Sequence, residues 1–583
     1  MRHLVKLLLP LLVIYGIAYG GAVTISVCAS GCDETTVAAG VAAAGAGEAV
    51  YIHNGTYSET ADVTDGGTDL ARIYGESEDG VIINLQNNSG LSASFTGDGY
   101  EIDHLTFVVE DGYIAVGTAF DGFNTCTITC TSTADNVFIV PTPSVTDTVY
   151  FDTVSFGDGT ATDIPIIGEG GAANTYTRYT DCVLDNVKIL QDDGRLQMWN
   201  CTIDNTNTAA EQALIDWTAG GVGFAYLYNT TISGVDDDMG SSPHTFGFRR
   251  LDDNISLADT FMYSNFDSLD FPIKQSDSDG AHATATKSYV YACSLEFFSL
   301  YGIFTTTNDG DIIDSYFKSG HDELYTITIG HDGPSCNTYN KGQGWHISGC
   351  TFDACDSPIR VFGQECQIYE NNFIDFTANG IGMEGADQPY IVNNRFYSGN
   401  KAIALQIEDA VECTDGMVKN NWFIDNTKNY YFDSATSEGG TWDFDNNIYV
   451  EPSSVTVFWE DNSVQKDFSD WLTDGKDALS DTTTHCWRSL YGGDSSAVIV
   501  PPYGYVSTGL TQTAVRPNVP HTFPTLTMAD DSLLAHVNWA ATDTITCTVR
   551  NDGALMDYID YRANDDDLYL DVTGHILPTS GYE

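Results

Sequence analysis

Basic residues are scarce in this chain of 583 residues. It contains 23 Lys and Arg against 82 Asp and Glu, which gives a formal net charge of −59. A protein that binds nucleic acid or docks on anionic lipid needs clustered cations, so this balance argues against both kinds of partner. Past the N-terminal segment, the sequence also lacks any run of 18 or more apolar residues that would form a transmembrane helix.

The composition nevertheless supports a folded core. Hydrophobic residues make up 42% of the chain and aromatic residues 12%, which is too apolar for a disordered polyanion. Glycine is abundant at 55 residues, together with Thr, Asn, Asp and Tyr, whereas segments rich in Lys and Glu are few. This usage favours turns and strands over helices.

The N-terminus has the pattern of a secretory signal. Arg2 and Lys6 precede an apolar run over 7–17, and the small residues of 18–20 resemble a cleavage site. Residues 1–20 are therefore predicted to be a signal peptide, and the mature chain is predicted to be secreted, at the cell surface or extracellular. The alternative is an uncleaved anchor, which would be the chain's one contact with a membrane.

The fourteen cysteines fit an oxidising compartment. Two close pairs, Cys28 with Cys32 and Cys126 with Cys130, lack the CxxC spacing of a redox or zinc site, and no histidine accompanies them. The sequence predicts some disulfides together with several buried free thiols.

A short block that ends in a bulky apolar residue recurs along the chain and predicts a solenoid. Its fourteen final residues span 342 positions, with a mean step of about 26, which is the length of one coil in a solenoid of short strands. These anchors are Phe107, Ile128, Phe156, Leu184, Ile203, Ile232, Phe266, Leu295, Phe317, Phe352, Phe373, Phe396, Phe423 and Tyr449.

The residues two positions before the anchors form a column of small or amide side chains. In the last coils this column consists of asparagines, at Asn371, Asn394, Asn421 and Asn447. Such a column is predicted to stack inside the coils, about 4.8 Å apart. Cys182 and Cys201 are vertical neighbours in it, so either a disulfide or a stack of thiols is expected there.

The pattern resembles the right-handed parallel β-helix proteins of the pectate-lyase-like superfamily. The segment 35–46 resembles the helix that caps the first coil in that family, and 48–57 and 72–75 resemble the strands that follow it. The resemblance covers about residues 22–450. It implies an all-β, right-handed parallel β-helix solenoid of about 14 coils with an N-terminal capping helix, but it leaves function open because enzymes and non-catalytic adhesins share the fold.

The domain boundaries follow from where the repeat begins and ends. The predicted N-terminal cap and first coil occupy 21–75, and the parallel β-helix occupies 76–450. A helical or loop segment over 451–500 and a small C-terminal region over 501–583 follow, the latter either a β domain or a ragged tail.

The strand upstream of each anchor resembles the first sheet of the family, whose outer face carries the substrate groove. Alternation points Ile273, Ile303 and Ile327 inwards and their neighbours outwards. The outward ladder is predicted to run through Asp216, Arg249, Lys274, Phe304, Thr328, Arg360, Glu384 and Gln406.

Cations in this ladder stand out in so acidic a chain. Cleavage of a uronic-acid polymer by β-elimination needs a cation on the sugar carboxylate, a base for the C5 proton and an acid for the leaving oxygen. Arg249 or Arg250 is predicted as the carboxylate clamp and Lys274 as the base, with Asp216 holding calcium or orienting an arginine. The alternative is a basic surface cluster that relieves repulsion.

Further sugar contacts are predicted above this centre. Arg360 and Glu384 suit a neighbouring subsite, about 14 Å from Lys274 in the case of Arg360. Tyr339, Lys341 and Trp345 belong to an insertion that would wall the groove and stack on sugar, or would form an ordinary surface loop.

Calcium is the one cofactor that the sequence suggests. Asp277 and Asp279 lie in an acidic loop that offers oxygen ligands, although solvated turns have the same composition. No nucleotide or redox cofactor is expected, because phosphate-binding glycine motifs are absent. The sets of acidic residues that polygalacturonases and pectin esterases of the family use are absent as well.

Two functions remain open at this stage. The first is a secreted β-helix that binds extracellular polysaccharide as a surface or structural module. The second is a polysaccharide lyase or related enzyme that cleaves a uronic-acid-containing glycan. The sequence does not decide the oligomeric state.

Overall fold

The structure is a computed structural model. It describes residues 24–85, 91–110, 112–117, 120–130, 137–141, 148–157, 166–169, 176–191, 194–206, 212–217, 223–234, 244–251, 258–276, 288–319, 325–330, 342–407, 412–433, 438–439, 441–445, 447–450, 459–461, 463–474 and 481–483, and four short strands after residue 525.

Three long sheets of parallel strands form the walls of a solenoid, and one strand of each, in the order sheet 1, sheet 2, sheet 3, makes a coil. Sheet 1 contains Val63–Thr64, Ala93–Phe95, Ile114–Val116, Val137–Pro141, Ile166–Glu169, Lys188–Gln191, Gln212–Trp217, Thr245–Leu251, Phe271–Ser276, Tyr301–Thr305, Tyr325–Ile329, Ile359–Val361, Asn379–Glu384, Lys401–Gln406, Lys428–Phe432, Trp459–Asp461 and the antiparallel Val464–Lys466. Sheet 2 contains Thr24–Val27, Ala49–Ile52, Arg72–Gly75, Glu101–Asp103, Gly122–Asn124, Thr148–Asp152, Tyr176–Thr180, Gly194–Trp199, Gly223–Tyr228, Asp259–Met262, Ser288–Tyr291, Asp311–Ile313, His346–Ser348, Gln367–Tyr369, Tyr390–Val392, Met417–Lys419 and Asp443–Asp445. Sheet 3 contains Gly55–Ser58, Val81–Asn84, Thr106–Val109, Thr127–Cys130, Ser155–Gly157, Val183–Asp185, Thr202–Asp204, Thr231–Ser233, Asn265–Asp267, Ser294–Phe298, Tyr316–Ser319, Thr351–Asp353, Asn372–Ile374, Arg395–Tyr397, Trp422–Ile424, Ile448–Val450 and Asp481–Thr483.

The fourteen anchors predicted from the repeat lie in register on sheet 3, from Phe107 to Tyr449. All of them are buried in one continuous core. Two strands of the sheet precede this set and Asp481–Thr483 follows it, which gives seventeen strands among the described residues.

Aromatic anchors stack on one another in the later coils. The rings of Phe317, Phe352, Phe373, Phe396 and Phe423 follow each other with centroids 4.7–5.1 Å apart and nearly parallel planes. This distance matches the spacing of parallel strands, so each ring fills the layer between its neighbours without a void.

The corner between sheets 2 and 3 explains the asparagine pairs of the sequence. Asn393 and Asn420 adopt positive φ values of 59° and 56°, a conformation that Asn tolerates better than most residues. The next residue turns inwards. The amide of Asn394 donates to the carbonyl of Ile368 at 2.8 Å and to Oδ1 of Asn421 at 3.1 Å, so the buried amides form a ladder along the solenoid.

Cysteines occupy the same inner column in the earlier coils. Cys182 and Cys201 are free thiols and not a disulfide, and both are buried. The single disulfide among the described residues joins Cys28 to Cys32. The predicted mixture of disulfide and buried thiols is therefore confirmed.

A short helix covers the N-terminal end of the solenoid, as predicted. Helix α1, Val37–Ala43, begins after Thr36, whose hydroxyl accepts from the amide of Ala39. The buried carboxylate of Glu59 accepts from the amides of Val37 and Ala38, which satisfies two donors at the helix start.

The solenoid continues past residue 450, the boundary predicted from the repeat. Trp459–Asp461 extends sheet 1 and then pairs with the antiparallel strand Val464–Lys466. Helix α2, Phe468–Thr473, follows and buries Trp471 against Tyr430, with ring centroids 4.5 Å apart.

The remaining strands are short. Cys413–Thr414 pairs with Glu438–Gly439 beside the solenoid. Further on, Leu526–Met528 pairs with Val549–Asn551, and Ile559–Asp560 pairs with His575–Ile576. None of the helices in the described ranges combines the length and apolarity needed to cross a membrane.

Candidate functional site: the outer face of sheet 1

The outward ladder predicted from the sequence lies on sheet 1. Strand pairing aligns Asp216 with Arg249, Arg249 with Lys274, Lys274 with Phe304, Phe304 with Thr328 and Thr328 with Arg360. The isoleucines that alternate with them are buried. Since strands lie about 4.8 Å apart, Lys274 and Arg360 are separated by about 14 Å along the solenoid.

The ladder departs from the prediction after Arg360. This residue pairs with Gly382 and not with Glu384, which aligns instead with Gln406 two positions along the strand. The Glu384 side chain nevertheless bends towards the ladder, and its Oε2 lies 2.5 Å from Nη2 of Arg360. The two residues predicted for one subsite therefore form an ion pair with each other.

Arg249 and Asp216 form a two-point ion pair. Nε of Arg249 donates to Oδ1 of Asp216 at 2.9 Å and Nη2 donates to Oδ2 at 2.7 Å. This geometry is the one that an arginine clamp would offer to the carboxylate of a uronic acid. Asp216 thus orients Arg249, as one of its two predicted roles requires, and it also fills the position that a substrate carboxylate would take.

Arg250 does not lie in the ladder. Its side chain is fully buried inside the coil, with Nη2 2.6 Å from Oδ1 of Asp259 and its guanidinium 3.8 Å from the centre of the Trp217 ring. Alternation along the strand explains the difference, because Arg249 faces outwards and its neighbour must face inwards. The prediction that Arg250 contacts substrate is inconsistent with this position.

Aromatic rings surround Lys274. Its Nζ lies 4.9 Å from the ring centre of Phe271, 5.2 Å from that of Phe246 and 5.9 Å from that of Phe304. These distances are within the range of cation–π attraction, which holds the ammonium group over the rings.

The rings continue up the face. Phe271 stacks on Tyr301, Tyr301 stacks on Tyr325, and Arg360 lies 4.4 Å from the ring centre of Tyr325. Phe246 and Phe271 are almost fully buried, whereas Tyr301, Phe304 and Tyr325 are partly exposed. We call these last three residues, with Lys274 and Arg360 at their two ends, the sheet 1 strip.

Trp345 was predicted to stack on sugar, and this prediction is wrong. The side chain is fully buried, and its Nε1 donates to the carbonyl of Thr307 at 2.7 Å. Gly310 makes this possible, because a Cβ at that position would lie 2.3 Å from the indole ring. The other predicted residues of the insertion, Tyr339 and Lys341, and the predicted calcium ligands Asp277 and Asp279 lie outside the described residues.

No group of three or more His, Cys, Asp or Glu side chains in the described ranges is placed to hold a metal ion. The calcium prediction therefore stays with the loop of Asp277 and Asp279.

A second outer face carries residues that the sequence analysis missed. Strands Tyr176–Thr180, Gly194–Trp199 and Gly223–Tyr228 of sheet 2 alternate buried residues with partly exposed aromatic and basic residues. The strand sequences YTRYT, GRLQMW and GFAYLY show this alternation. The resemblance to a known family points to sheet 1 alone, because that sheet carries the groove in the family.

One family model matches part of the chain. Residues 275–468 match the family described as Periplasmic copper-binding protein (NosD), which is a right-handed β-helix family. No curated protein matches the sequence significantly.

Solved structures with similar coils include tailspike protein 3 of bacteriophage CBA120, with 10% identity, a TM-score of 0.28 and coverage of 71% of this chain and 56% of the tailspike. The chain thus matches little more than half of that protein's length. The tailspike of E. coli bacteriophage HK620, as a double mutant, has 12% identity, a TM-score of 0.35 and coverage of 70% and 72%. The periplasmic alginate epimerase AlgG has 8% identity, a TM-score of 0.28 and coverage of 60% and 82%.

The three sheets of parallel strands confirm the β-helix predicted from the repeat. The chain is a parallel β-helix solenoid, and its residues 275–468 are similar to a right-handed β-helix family.

Proposed function

We propose that this chain is an extracytoplasmic β-helix that binds polysaccharide along the sheet 1 strip. The observation that carries the proposal is a cluster of partly exposed rings on sheet 1, in which Tyr301 and Phe304 lie on one strand and Tyr325 lies opposite Tyr301 on the next. Aromatic rings in this arrangement offer apolar faces to the C–H surfaces of successive sugars. A location outside the cytoplasm agrees with the predicted signal peptide of residues 1–20 and with the periplasmic description of the matching family.

Charge decides which sugars suit this strip. Arg360 is paired with Glu384, and Arg249 with Asp216. Each pair is close to neutral as a unit, so neither guanidinium gives the strip a net attraction for acid groups. Lys274 adds a single cation, held over aromatic rings, on a chain whose net charge is −59. The strip therefore suits sugar faces and hydroxyl groups, and a neutral polysaccharide is its expected ligand.

Cleavage by β-elimination is the second candidate. One observation favours it, which is the direct pairing of Arg249 with Lys274 on adjacent coils. For this reaction a substrate carboxylate must displace Asp216 from Arg249, and Lys274 must lose its proton while it lies over the Phe271 ring. Both requirements make binding without cleavage the preferred proposal.

Copper binding, which the name of the matching family carries, is not proposed. Within the matched region all five described cysteines, Cys293, Cys350, Cys355, Cys366 and Cys413, are buried in the core. Burial raises the pKa of the Cys350 thiol, and it raises those of Cys293, Cys366 and Cys413 to about 12. Copper prefers thiolate, thioether and imidazole ligands in one accessible cluster. The described donors do not form such a cluster.

The test is a combined binding and cleavage screen with the mature chain. The probes are neutral glucans, alginate and polygalacturonate, and the readouts are gel retardation, ultraviolet absorbance of unsaturated products and reducing ends. We expect a neutral glucan to retard the wild-type chain without any rise in absorbance. Tyr301→Ala and Tyr325→Ala should each weaken this binding at least about fivefold. Tyr390→Ala, which removes an exposed ring from sheet 2, is the matched control.

Two outcomes contradict the proposal. Retardation that Tyr301→Ala and Tyr325→Ala leave unchanged would exclude the sheet 1 strip. Absorbance that rises with time and disappears in Lys274→Ala would establish the lyase instead.

A further inference from the structure

Sheet 2 carries an aromatic and basic surface on five consecutive strands. We call it the sheet 2 strip. Its outward residues are all partly exposed, and no Asp or Glu is among them. They are Tyr176, Arg178, Thr180, Arg195, Gln197, Trp199, Phe224, Tyr226, Tyr228, Thr260, Met262, Tyr289 and Tyr291.

The rings form a connected platform. The Trp199 ring centre lies 5.1 Å from that of Tyr226 and 5.3 Å from that of Tyr228, and Tyr289 stacks beside Tyr291 at 5.8 Å. Seven of the thirteen outward residues are aromatic, and none is Ile, Leu or Val. The surface therefore offers ring faces and hydrogen-bonding groups together, without the aliphatic side chains of a buried core.

Two arginines distinguish this platform from the rest of the molecule. The Arg178 guanidinium lies 5.4 Å from the Trp199 ring centre, and the Arg195 guanidinium lies 4.6 Å from that of Tyr176. Arg178 donates to the neutral Gln197 at 3.2 Å. Within the described residues neither arginine has a carboxylate partner, whereas Arg72, Arg249, Arg250 and Arg360 each pair with an Asp or Glu.

Two buried donors on the strip also lack partners. Nε of Arg195 and Nε1 of Trp199 have almost no exposed surface and make no hydrogen bond in the structure. An N–H group in this condition costs free energy unless an acceptor reaches it, because it has lost its water. A ligand must displace neighbouring atoms to reach these two donors, whereas the partly exposed Arg178 and Arg195 suit a ligand that is rich in acceptors.

We propose that the sheet 2 strip binds a polysaccharide in which acidic sugars are interspersed with neutral ones. The rings stack on the sugar faces, and Arg178 and Arg195 bind carboxylate or sulfate groups. The two arginines stand on adjacent strands and two positions apart, about 8 Å from each other. The three rungs above them are uncharged, and Asp311 borders the strip on the next rung. This arrangement suits an occasional acid group better than one on every sugar.

Charge argues for this occupant over others. A second copy of the chain would bring another −59 charges to the face, which opposes association. Nucleic acid carries a phosphate on every nucleotide, and two cations on a strongly acidic protein do not balance that density. A glycan with widely spaced acid groups needs only a few cations. The sheet 2 strip supplies them as the one locally basic aromatic surface identified on the described part of sheet 2.

The experiment measures retardation of the mature chain in gels that contain hyaluronan, chondroitin sulfate, alginate or polygalacturonate. The polymer that binds most tightly is then compared with its carboxyl-reduced or desulfated form. Arg195→Gln and Arg178→Gln remove the charges without a large change in shape, and Trp199→Ala removes the central ring. Lys419→Gln is the matched control, because it removes a cation from the same sheet where Nζ already lies 2.6 Å from Asp443.

Hyaluronan and chondroitin sulfate, in which acidic and neutral sugars alternate, are expected to bind best. Each arginine variant is expected to weaken binding about tenfold, and Lys419→Gln less than twofold. Removal of the acid groups from the polymer should abolish the difference between wild type and the arginine variants.

Three results would overturn the proposal. They are an absence of binding to all four acidic polymers, binding that the arginine variants leave intact, and equal binding of the uncharged polymer. Circular dichroism of each variant separates loss of binding from loss of fold. Tyr325→Ala in gels that contain a neutral glucan reports on the sheet 1 strip, so the failure of one surface is distinguishable from the failure of the other.

Discussion

Arg250 and Asp259 form an ion pair inside the solenoid, with Nη2 and Oδ1 2.6 Å apart and both side chains fully buried. Asp259 also accepts from the amide of Ala225 at 2.8 Å and from Nε2 of Gln275 at 2.7 Å. Burial raises the pKa of Asp259 even though Arg250 opposes the shift. The carboxylate therefore depends on its arginine to remain charged in the core.

Arg250→Met should destabilise the solenoid strongly, because it leaves a buried carboxylate without its cation. The expected loss is about 3–5 kcal/mol of unfolding free energy, measured by urea denaturation. Lys419→Met removes one partner of a surface ion pair and should cost about 0–1 kcal/mol. If Arg250→Met cost no more than this control, the pair would have no role in stability. Arg250→Met with Asp259→Asn should recover part of the loss.

Asn394→Ala should also destabilise the solenoid, because it breaks the amide ladder at an inner rung. The substitution removes the acceptor of the Asn371 amide and the donor to the Ile368 carbonyl, both of them buried. Each unsatisfied group costs about 1–3 kcal/mol, which thermal denaturation would reveal. Asn393→Gly changes the adjacent residue, whose φ of 59° suits glycine, and should be nearly neutral. Equal effects of the two substitutions would contradict the ladder's contribution.

Buried thiols should resist alkylation in the folded chain. Burial raises the pKa of Cys126, Cys293, Cys366 and Cys413 to about 12, so almost no thiolate is present at pH 8. Iodoacetamide followed by peptide mass spectrometry should leave these four unmodified until urea is added. Rapid labelling of Cys293 in the native chain would show that the coil opens there.

Lys401 should make stability rise with pH. It pairs directly with Lys428 on the next strand, and burial together with that neighbour lowers its pKa below the ordinary value of 10.5. The unfolded chain then binds this proton more tightly than the folded chain. Stability is therefore gained as the pH rises from the lowered pKa towards 10.5 and is lost as the pH falls.

Lys401→Met removes this titration and the repulsion between like charges. The variant should be more stable than wild type at pH 7, by about 0.2–1 kcal/mol, and the advantage should shrink towards pH 10.5. Melting temperatures measured across this range report the difference, with Lys419→Met as the control. A gap that is constant with pH would contradict the shift.

Calcium is expected to stabilise the chain weakly through Asp277 and Asp279. Millimolar calcium should raise the melting temperature above that in EDTA, because a ligand bound only by the folded state adds to its stability. Asp277→Asn with Asp279→Asn should remove the increase, whereas magnesium should not reproduce it. An unchanged increase in the double variant would place any calcium elsewhere.

The repeat made most of the fold predictable. A bulky residue every 26 positions or so must fill one layer of the core, and the fourteen anchors keep this register from Phe107 to Tyr449. Alternation likewise placed Asp216, Arg249, Lys274 and Arg360 on one face. The first prediction depends on the length of a coil and the second on alternation within single strands, and a sequence displays both directly.

Contacts between coils were harder to predict. The charge of Arg250 favoured a surface position, although alternation along the strand pointed its side chain inwards. Nothing in the local sequence shows that Asp259 lies inside the coil to pair with it. The sequence around Trp345 indicates a loop. The burial of its side chain depends on the space beside Gly310, 35 positions earlier. The ion pair of Arg360 with Glu384 likewise needs the bend of a side chain across two strand positions.

The two ends of the solenoid determine how far it extends. A stack of parallel strands has no inherent length, since the last strand of sheet 1 exposes the same unpaired amides and carbonyls that joined it to its predecessor. Here Val464–Lys466 turns back against Trp459–Asp461, and helix α2 packs Trp471 over the last rings. Helix α1 covers the opposite end. In the part of the chain that the structure describes, the parallel stacking of sheet 1 therefore stops at an antiparallel pair, and a helix packs at each end of the coils.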